Sequence, residues 1–270
     1  EFGTNPCSEI ILRPYQFCNL TEVVVRAEDT LETLKNKVEI ATILGTWQST
    51  LTKFPYLRKV WQNNTEEERL LGVSLTGILD NKMMGEVNDT TKENLQILRE
   101  TSVKTNAELS TLLGIPQSTA ITCVKPSELV DSSSGIHTRH SPYYIRRVRG
   151  DKKDPLSKFL QEVGVHTEDC VMKPDSTVVF SFPIKAPKGA RVRQDLTVTD
   201  NLEIWLMYQN YWCEHKPSVT ISVKEEEWLE VGSWVWKNFD NISGISFLPY
   251  DGGSYRQAPY EECTKEQYEE

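Results

Sequence analysis

The apolar positions of this chain fall into two rhythms. Leu31, Leu34, Val38, Ala41, Leu44, Trp47 and Leu51 recur every three or four residues, which gathers them on one helix face. Val198, Leu202, Trp205 and Trp212 form a second stripe, and Trp228, Gly232, Val235 and Phe239 a third. Between the stripes lie short β-branched or aromatic runs at 8–12, 21–26, 70–75, 119–124, 144–148, 177–182, 218–223 and 245–248. Runs of this kind suit strands buried in a parallel sheet. Strand and helix alternating this often predict an α/β fold with mostly parallel strands and right-handed crossovers. Residues 131–135 (Asp-Ser-Ser-Ser-Gly) read as a loop, and 151–155 and 185–188 as polar connections. From 251 the chain turns to glycine, tyrosine and acid, which predicts a main body at 1–250 and a charged, mobile tail at 251–270.

Composition narrows the function classes. The 270 residues fit one large domain or two small ones, and 38% apolar content is enough for a core. Lys and Arg total 30 against 39 acids, a net charge of −9, which argues against nucleic acid as partner. The longest wholly apolar run covers only 204–208, so no transmembrane helix is expected. The chain opens Glu1-Phe2-Gly3-Thr4, with no methionine, basic n-region or apolar h-region, and reads as a fragment or a processed product without a signal peptide. Six cysteines, at 7, 18, 123, 170, 213 and 263, include no C-x-x-C pair. That argues against structural zinc and a disulfide framework, and for a reducing, cytoplasmic compartment.

The densest chemistry stands at the start: Asn5-Pro6-Cys7-Ser8-Glu9, then Cys18. If this stretch is extended, Asn5, Cys7 and Glu9 project to one side. An amide, a thiol and a carboxylate would then converge on a reactive centre. Spacing alone equally fits a strand edge with an incidental buried cysteine. Lys125-Pro126-Ser127, at the end of a predicted strand, either offers backbone N–H groups to a nucleotide phosphate or supplies an ordinary Ser helix cap.

Asn5-Pro6-Cys7-Ser8-Glu9-Ile10, followed by Cys18-Asn19-Leu20, resembles the active-site segment of ribonucleotide reductases, and its proline form is similar to the adenosylcobalamin-dependent class. Further stretches agree in the same order: Leu-Gly-Val-Ser-Leu-Thr-Gly-Ile at 71–78, Leu-Val-Asp-Ser-Ser-Ser-Gly-Ile-His at 129–137, Tyr-Tyr-Ile-Arg-Arg at 143–147, and 243–253. The resemblance spans essentially the whole chain. It implies the second half of a ten-stranded α/β barrel, beginning at the loop that bears the radical cysteine.

The resemblance also implies roles. Cys7 would carry the thiyl radical that removes hydrogen from the ribose 3′ carbon, Glu9 would take the 3′ hydroxyl proton, and Asn5 would hydrogen-bond the substrate. Pro6 and Ser8 would complete the substrate loop, and Pro126 and Ser127 would bind phosphate. Cys18 would be one member of the reducing dithiol, its partner lying earlier in the family's chain. The family continues the phosphate motif with Gly-Thr, whereas here Glu128 follows Ser127 directly. The implied activity is reduction of ribonucleoside di- or triphosphates, with adenosylcobalamin as cofactor, a dithiol reductant such as thioredoxin, and a complementary amino-terminal half of the barrel. This fragment alone would be inactive. The alternative is a non-catalytic split half that binds a partner barrel chain. The Tyr-Tyr pair that the iron-dependent class needs near its carboxy terminus has only Tyr143-Tyr144 to match it, mid-chain.

Other residues invite plainer readings. His137 and His140 suit loop hydrogen bonds better than a metal site. Cys123 and Cys170 read as buried thiols, and Cys213 falls on a helix. Arg139, Arg146, Arg147 and Arg149 read as a solvated basic face. Cys263 is single and too early to match the family's terminal cysteine pair.

Overall fold

The computed structural model describes residues 2–127, 131–250 and 256–269. In chain order the strands are β1 (Gly3–Thr4), β2 (Ile11–Leu12), β3 (Asn19–Val24), β4 (Leu71–Thr76), β5 (Thr122–Cys123), β6 (Tyr143–Asp151), β7 (Thr167–Asp169), β8 (Thr177–Lys185), β9 (Val219–Val223), β10 (Ile245–Pro249) and β11 (Tyr260–Glu262). The helices are α1 (Leu31–Gln48), α2 (Lys59–Glu68), α3 (Lys82–Gly85), α4 (Asp89–Leu113), α5 (Pro155–Glu162), α6 (Val198–Tyr211), α7 (Trp228–Lys237) and α8 (Lys265–Glu269). The fold is a mixed α/β one.

Its spine is parallel. β3 pairs with β4 and β4 with β5, while β9 pairs with β10, all in parallel register. A parallel bridge between Val124 and Pro217 joins the two groups, so the five strands run β3-β4-β5-β9-β10. Leu71, Val73 and Leu75 of β4, and Val219, Ile221 and Val223 of β9, face the helices and join one core with α1, α4, α6 and α7. The alternate positions, among them Gly72, Ser74, Thr76, Thr220 and Ser222, line the opposite face. That face is small and polar. α6 closes the β5–β9 seam from behind: Trp205 Nε1 donates to Pro217 O at 2.8 Å and Trp212 Nε1 to Cys123 O at 2.8 Å. Each indole thereby buries its ring with its N–H satisfied.

Parallel pairing does not extend to the whole molecule. Tyr144–Val148 and Thr177–Phe182, expected as buried parallel strands, lie in β6 and β8, which pair antiparallel in a sheet ordered β11-β6-β8-β7. Arg146, Arg147 and Arg149 keep β6 half-solvated, the condition under which antiparallel sheets form. The described part of the tail joins the same sheet: Tyr260–Glu262 pairs with β6, and Cys263 N donates to Tyr143 O. Residues 251–255, where the tail was expected to begin, lie outside the described residues.

The helix faces also differ from the apolar stripes. α6 buries Val198, Leu202 and Trp205 as its stripe predicts. α7 instead turns Val231 and Trp234 inward, while Phe239 beyond its end is 70% exposed. α1 buries Leu34, Val38 and Ala41, then continues with Thr42, Gly45 and Thr46 rather than Leu44 and Trp47. The reason is a polar seam with α4: Thr42 Oγ1 and Ser102 Oγ lie 2.7 Å apart, and Asn106 Nδ2 donates to Thr46 Oγ1 at 2.9 Å. Buried polar groups are tolerated there because they are paired.

Candidate active site

Residues 5–10 close the hairpin between β1 and β2, which pair antiparallel with Thr4 opposite Ile11. Ser8 N donates to Asn5 O at 3.0 Å, so Asn5-Pro6-Cys7-Ser8 is a β-turn with proline at its second position and Cys7 at its tip. Ser8 takes a left-handed φ of 63°. The stretch is therefore not extended, and the same-side argument from alternate spacing does not hold. Asn5 and Glu9 meet because the turn folds the chain back: Asn5 Nδ2 donates to Glu9 Oε1 at 2.6 Å, and Asn5 Oδ1 accepts from Ile10 N at 3.1 Å. Asn at the first turn position and Pro at the second carried this signal in the sequence.

The hairpin sits on the small polar face of the spine. Ile10 is fully buried above Gly72, where an added Cβ would stand 3.1 Å from Ile10 Cδ1. Lys216 N, at the β5–β9 seam, donates to Glu9 O at 3.1 Å. Ser8 O lies within van der Waals reach of Gly244, just before β10. The loop is thus held across β4, the seam and the start of β10, and its tip is fixed by backbone contacts.

Lys125, two residues beyond Cys123, completes the centre. Its Nζ lies 3.2 Å from Cys7 Sγ and 3.2 Å from Glu9 Oε1. Burial works against the lysine's charge, but the hydrogen bond to Cys7 and the charge of Glu9 outweigh it, and its pKa is raised. Glu9 is wholly buried, and its Oε2 has no hydrogen-bond partner among the described residues. Cys18, just before β3, is half-buried; burial pushes its thiol up and the Glu9 charge adds to the rise. Glu22 lies on β3 opposite Ser74, which in turn is opposite Cys123. Burial raises the Glu22 carboxyl, against hydrogen bonds from Ser127 and Ser74 and the charge of Lys125. Glu22 had not been singled out from the sequence, and Lys125 had been named only within the Lys125-Pro126-Ser127 motif, not as a neighbour of Cys7. Residues so far apart along the chain give no local pattern; only the strand register joins them.

Ser127 O accepts from Thr76 Oγ1, and Lys125 N donates to Ser74 Oγ at 2.9 Å. Glu128, Leu129 and Val130 lie outside the described residues, and no helix occurs in 131–142. Pro126 stands at the wall of a cavity of about 660 Å³, lined also by Thr220 and Ser222 of β9, Tyr144, Tyr250 and Tyr260. His137 lines it too. Its Nε2 accepts from Thr220 N, so Nδ1 donates to Ser134 O at 2.7 Å, and the ring serves the loop on both sides. Arg139 is not part of a solvated face: it is 2% exposed and donates Nε and Nη2 to Asp80 and Nη1 to Asp131 and the Tyr144 hydroxyl. Arg147 is paired with Glu261 at 2.6 Å. Cys123 and Cys170 are buried, as expected; Cys213 is buried as well, but it lies two residues beyond the end of α6 rather than on a helix.

No family model matches the chain. It is 33% identical over 280 residues to an adenosylcobalamin-dependent ribonucleoside-triphosphate reductase of Euglena gracilis, covering 99% of this chain and 37% of that protein. It is 30% identical over 301 residues to the protein of that description from Lactobacillus leichmannii, covering 99% and 40%. The crystal structure of a B12-dependent (class II) ribonucleotide reductase matches with a TM-score of 0.82 at 27% identity, over 99% of this chain and 41% of that one. The alpha subunit of the Actinobacillus ureae class Id ribonucleotide reductase shares the fold, with a TM-score of 0.54 at 15% identity, over 91% and 53%. This chain is therefore a relative of the adenosylcobalamin-dependent ribonucleoside-triphosphate reductases, and spans about two fifths of their length.

Proposed function

We propose that this chain is the part of an adenosylcobalamin-dependent ribonucleotide reductase that bears the radical cysteine, and that the complete enzyme replaces the 2′ hydroxyl of a ribonucleoside triphosphate by hydrogen. The observation that carries this reading is the hairpin tip, where Cys7, Glu9 and Asn5 are held together over Gly72. The triphosphate is favoured over the diphosphate by the names of the relatives.

In this reading the Cys7 thiyl takes hydrogen from the ribose 3′ carbon. Glu9 receives the 3′ hydroxyl proton on Oε2, the oxygen without a partner among the described residues, while Oε1 stays bonded to Asn5 and Lys125. Asn5 spends one amide hydrogen on Glu9 and so helps position the base. Pro6 and Ser8 shape the turn that presents Cys7. Cys18 supplies one thiol of the reducing pair, and an external dithiol such as thioredoxin restores it. Pro126 and Ser127 stand at the phosphate end. Adenosylcobalamin, when bound, supplies the oxidising equivalent that turns the Cys7 thiol into a thiyl radical. The cavity beside Pro126 fits part of such a large polar group, since tyrosine rings and hydroxyl side chains share its wall with Arg193, Lys224 and aliphatic residues. Thr220, Ser222, Asn201 and Tyr250 would hold it there.

The five-stranded spine would be half of a ten-stranded barrel with residues 1–250 as its main body, and the described end of 251–270 is docked on β6. Two features support a complementary amino-terminal half. Among the described residues β3 pairs only with β4, and the α1 face beside it exposes Ile40, Leu44, Trp47 and Leu51, each more than half accessible. No described helix is long and apolar enough to cross a membrane. The six unpaired thiols favour the cytoplasm.

The test is 3′ hydrogen exchange and product formation in the full-length protein with adenosylcobalamin and a dithiol. Cys7→Ser should abolish both, because a serine O–H bond is too strong to exchange with the ribose. Cys18→Ser should keep exchange but lose deoxynucleotide, and the isolated chain should do neither until mixed with its complement. Exchange that survives Cys7→Ser removes Cys7 as the radical carrier.

A further inference from the structure

An ammonium group has three N–H donors and no lone pair, so both short contacts of Lys125 run in one direction. Cys7 sulfur and Glu9 Oε1 accept, each at 3.2 Å. For Cys7, the single S–H hydrogen must then point away from Lys125. For Glu9, the two oxygens are made unlike. Oε1 is filled by Asn5 Nδ2 and Lys125 Nζ, while buried Oε2 has no partner among the described residues. Lys125 is itself fixed, its N–H donating to Ser74 Oγ at 2.9 Å and its side chain 29% exposed.

We propose that Lys125 is a further positioning residue of this site: its ammonium presents the Cys7 thiol and Oε2 of Glu9 to the ribose as one fixed unit. This rests on the reductase reading above. The ribose atoms that the two groups must meet, the 3′ carbon and its hydroxyl, are bonded neighbours. An error in the relative placement of thiol and carboxylate therefore spoils hydrogen abstraction and proton transfer together. A lysine needed only for phosphate binding would instead affect substrate affinity.

The experiment compares Lys125→Met, Lys125→Gln and Lys125→Arg in the full-length protein. Lys125→Met and Lys125→Gln should lower kcat for 3′ exchange and for product in parallel, by about 100-fold, with KM within about threefold of wild type. Lys125→Arg, which keeps a cationic donor, should recover about a tenth of the wild-type rate or more. A raised KM at unchanged kcat, or near-normal exchange in Lys125→Met, overturns the proposal. A second arm is independent of turnover: the rate at which iodoacetamide alkylates Cys7, read by peptide mass with Cys263, which Lys125 does not influence, as internal reference. Without the ammonium the Cys7 sulfur loses the donor that holds it in place, and the rate should fall about threefold or more. Unchanged alkylation shows that the contact does not exist in solution and overturns the proposal directly. If the wild type itself shows no turnover, the reductase reading fails and the positioning role with it, even where slowed alkylation upholds the contact.

Discussion

A methyl group at Gly72 is the sharpest single perturbation of this site. In Gly72→Ala the new Cβ would overlap Leu20 Cδ2 and stand 3.1 Å from Ile10 Cδ1 and 3.4 Å from Cys123 Sγ. Carbon atoms pack at about 3.5–4.0 Å, so two of the three neighbours must give way. Leu20 is only half-buried and can leave its rotamer for about 0.5–1.5 kcal/mol. Ile10 is wholly buried, and the hairpin that carries it must lift by about 0.5 Å. The stability cost is about 1–3 kcal/mol, the usual range for overpacking. The functional cost is expected to be larger in proportion. Cys7 and Glu9 ride on the same hairpin, and misplacing reacting groups by about 1 Å can cost about 100-fold, so a drop of about tenfold in 3′ exchange is expected. Urea unfolding and exchange kinetics on the full-length protein measure the two effects. Adding Ile10→Val removes the Cδ1 atom in the way and should restore most of the rate, whereas adding Leu20→Ala should relieve only the stability. A Gly72→Ala enzyme that keeps about half its rate or more refutes the claim that this glycine seats the hairpin.

Two further outcomes follow from charges outside the hairpin. Asp80 accepts from Arg139 Nε at 2.8 Å and Nη2 at 2.7 Å, with both side chains about 2% exposed or less, and Asp80→Asn should cost about 3–5 kcal/mol in urea unfolding; a loss below about 1 kcal/mol would show that Asp131 and Tyr144 suffice for the guanidinium. His140 is pulled down from 6.5 to about 4, first by burial and then by the charge of Arg193, so the folded state binds fewer protons than the unfolded one. Its contribution is complete above pH 6.5 and is lost as the pH falls towards 4. Allowing for solvent screening it amounts to about 1–2 kcal/mol, and His140→Gln should flatten the melting temperature over that window; an unchanged slope would assign the acid sensitivity elsewhere.

How much of this was legible depended on what each element buries. α6 could be read because its core face is Val198, Leu202 and Trp205, all apolar. α4 could not: its buried face mixes Leu95 and Leu98 with Thr91, Asn94, Ser102, Asn106 and Ser110, which erases the apolar period. The same seam moved the inner face of α1 from Leu44 to Thr42 and Thr46. Cys7, Glu9, Asn5 and Cys18 stand close together in sequence and were singled out by residue type and by the resemblance, but the same-side geometry held only if the stretch was extended, and the Asn5-Pro6 turn removes that condition. Lys125 reaches Glu9 across 116 positions, through the register of three strands, and no local pattern encodes such a contact.

The state of Glu9 joins packing to chemistry. Burying a carboxylate completely is unfavourable unless it is paired and hydrogen-bonded, and here the pairing serves one oxygen only. An apolar residue at position 9 would leave no acceptor unsatisfied above Ile10 and Gly72, but it would strip the Asn5 amide and the Lys125 ammonium of their shared partner. The fold instead holds an acceptor ready, beside a thiol and aimed by a lysine. A ribose hydroxyl arriving at Oε2 would end the deficit. In the proposed reading, the atom left unpaired among the described residues is the atom that would favour the bound sugar, and the one that would take its proton. Stability forgone at Glu9 and binding gained at the site are two sides of one hydrogen bond. For that reason Glu9→Gln, which keeps an oxygen for Asn5 and Lys125 but no acceptor in place of Oε2, should slow exchange far more than it destabilises the fold, a combination that a purely structural carboxylate would not produce.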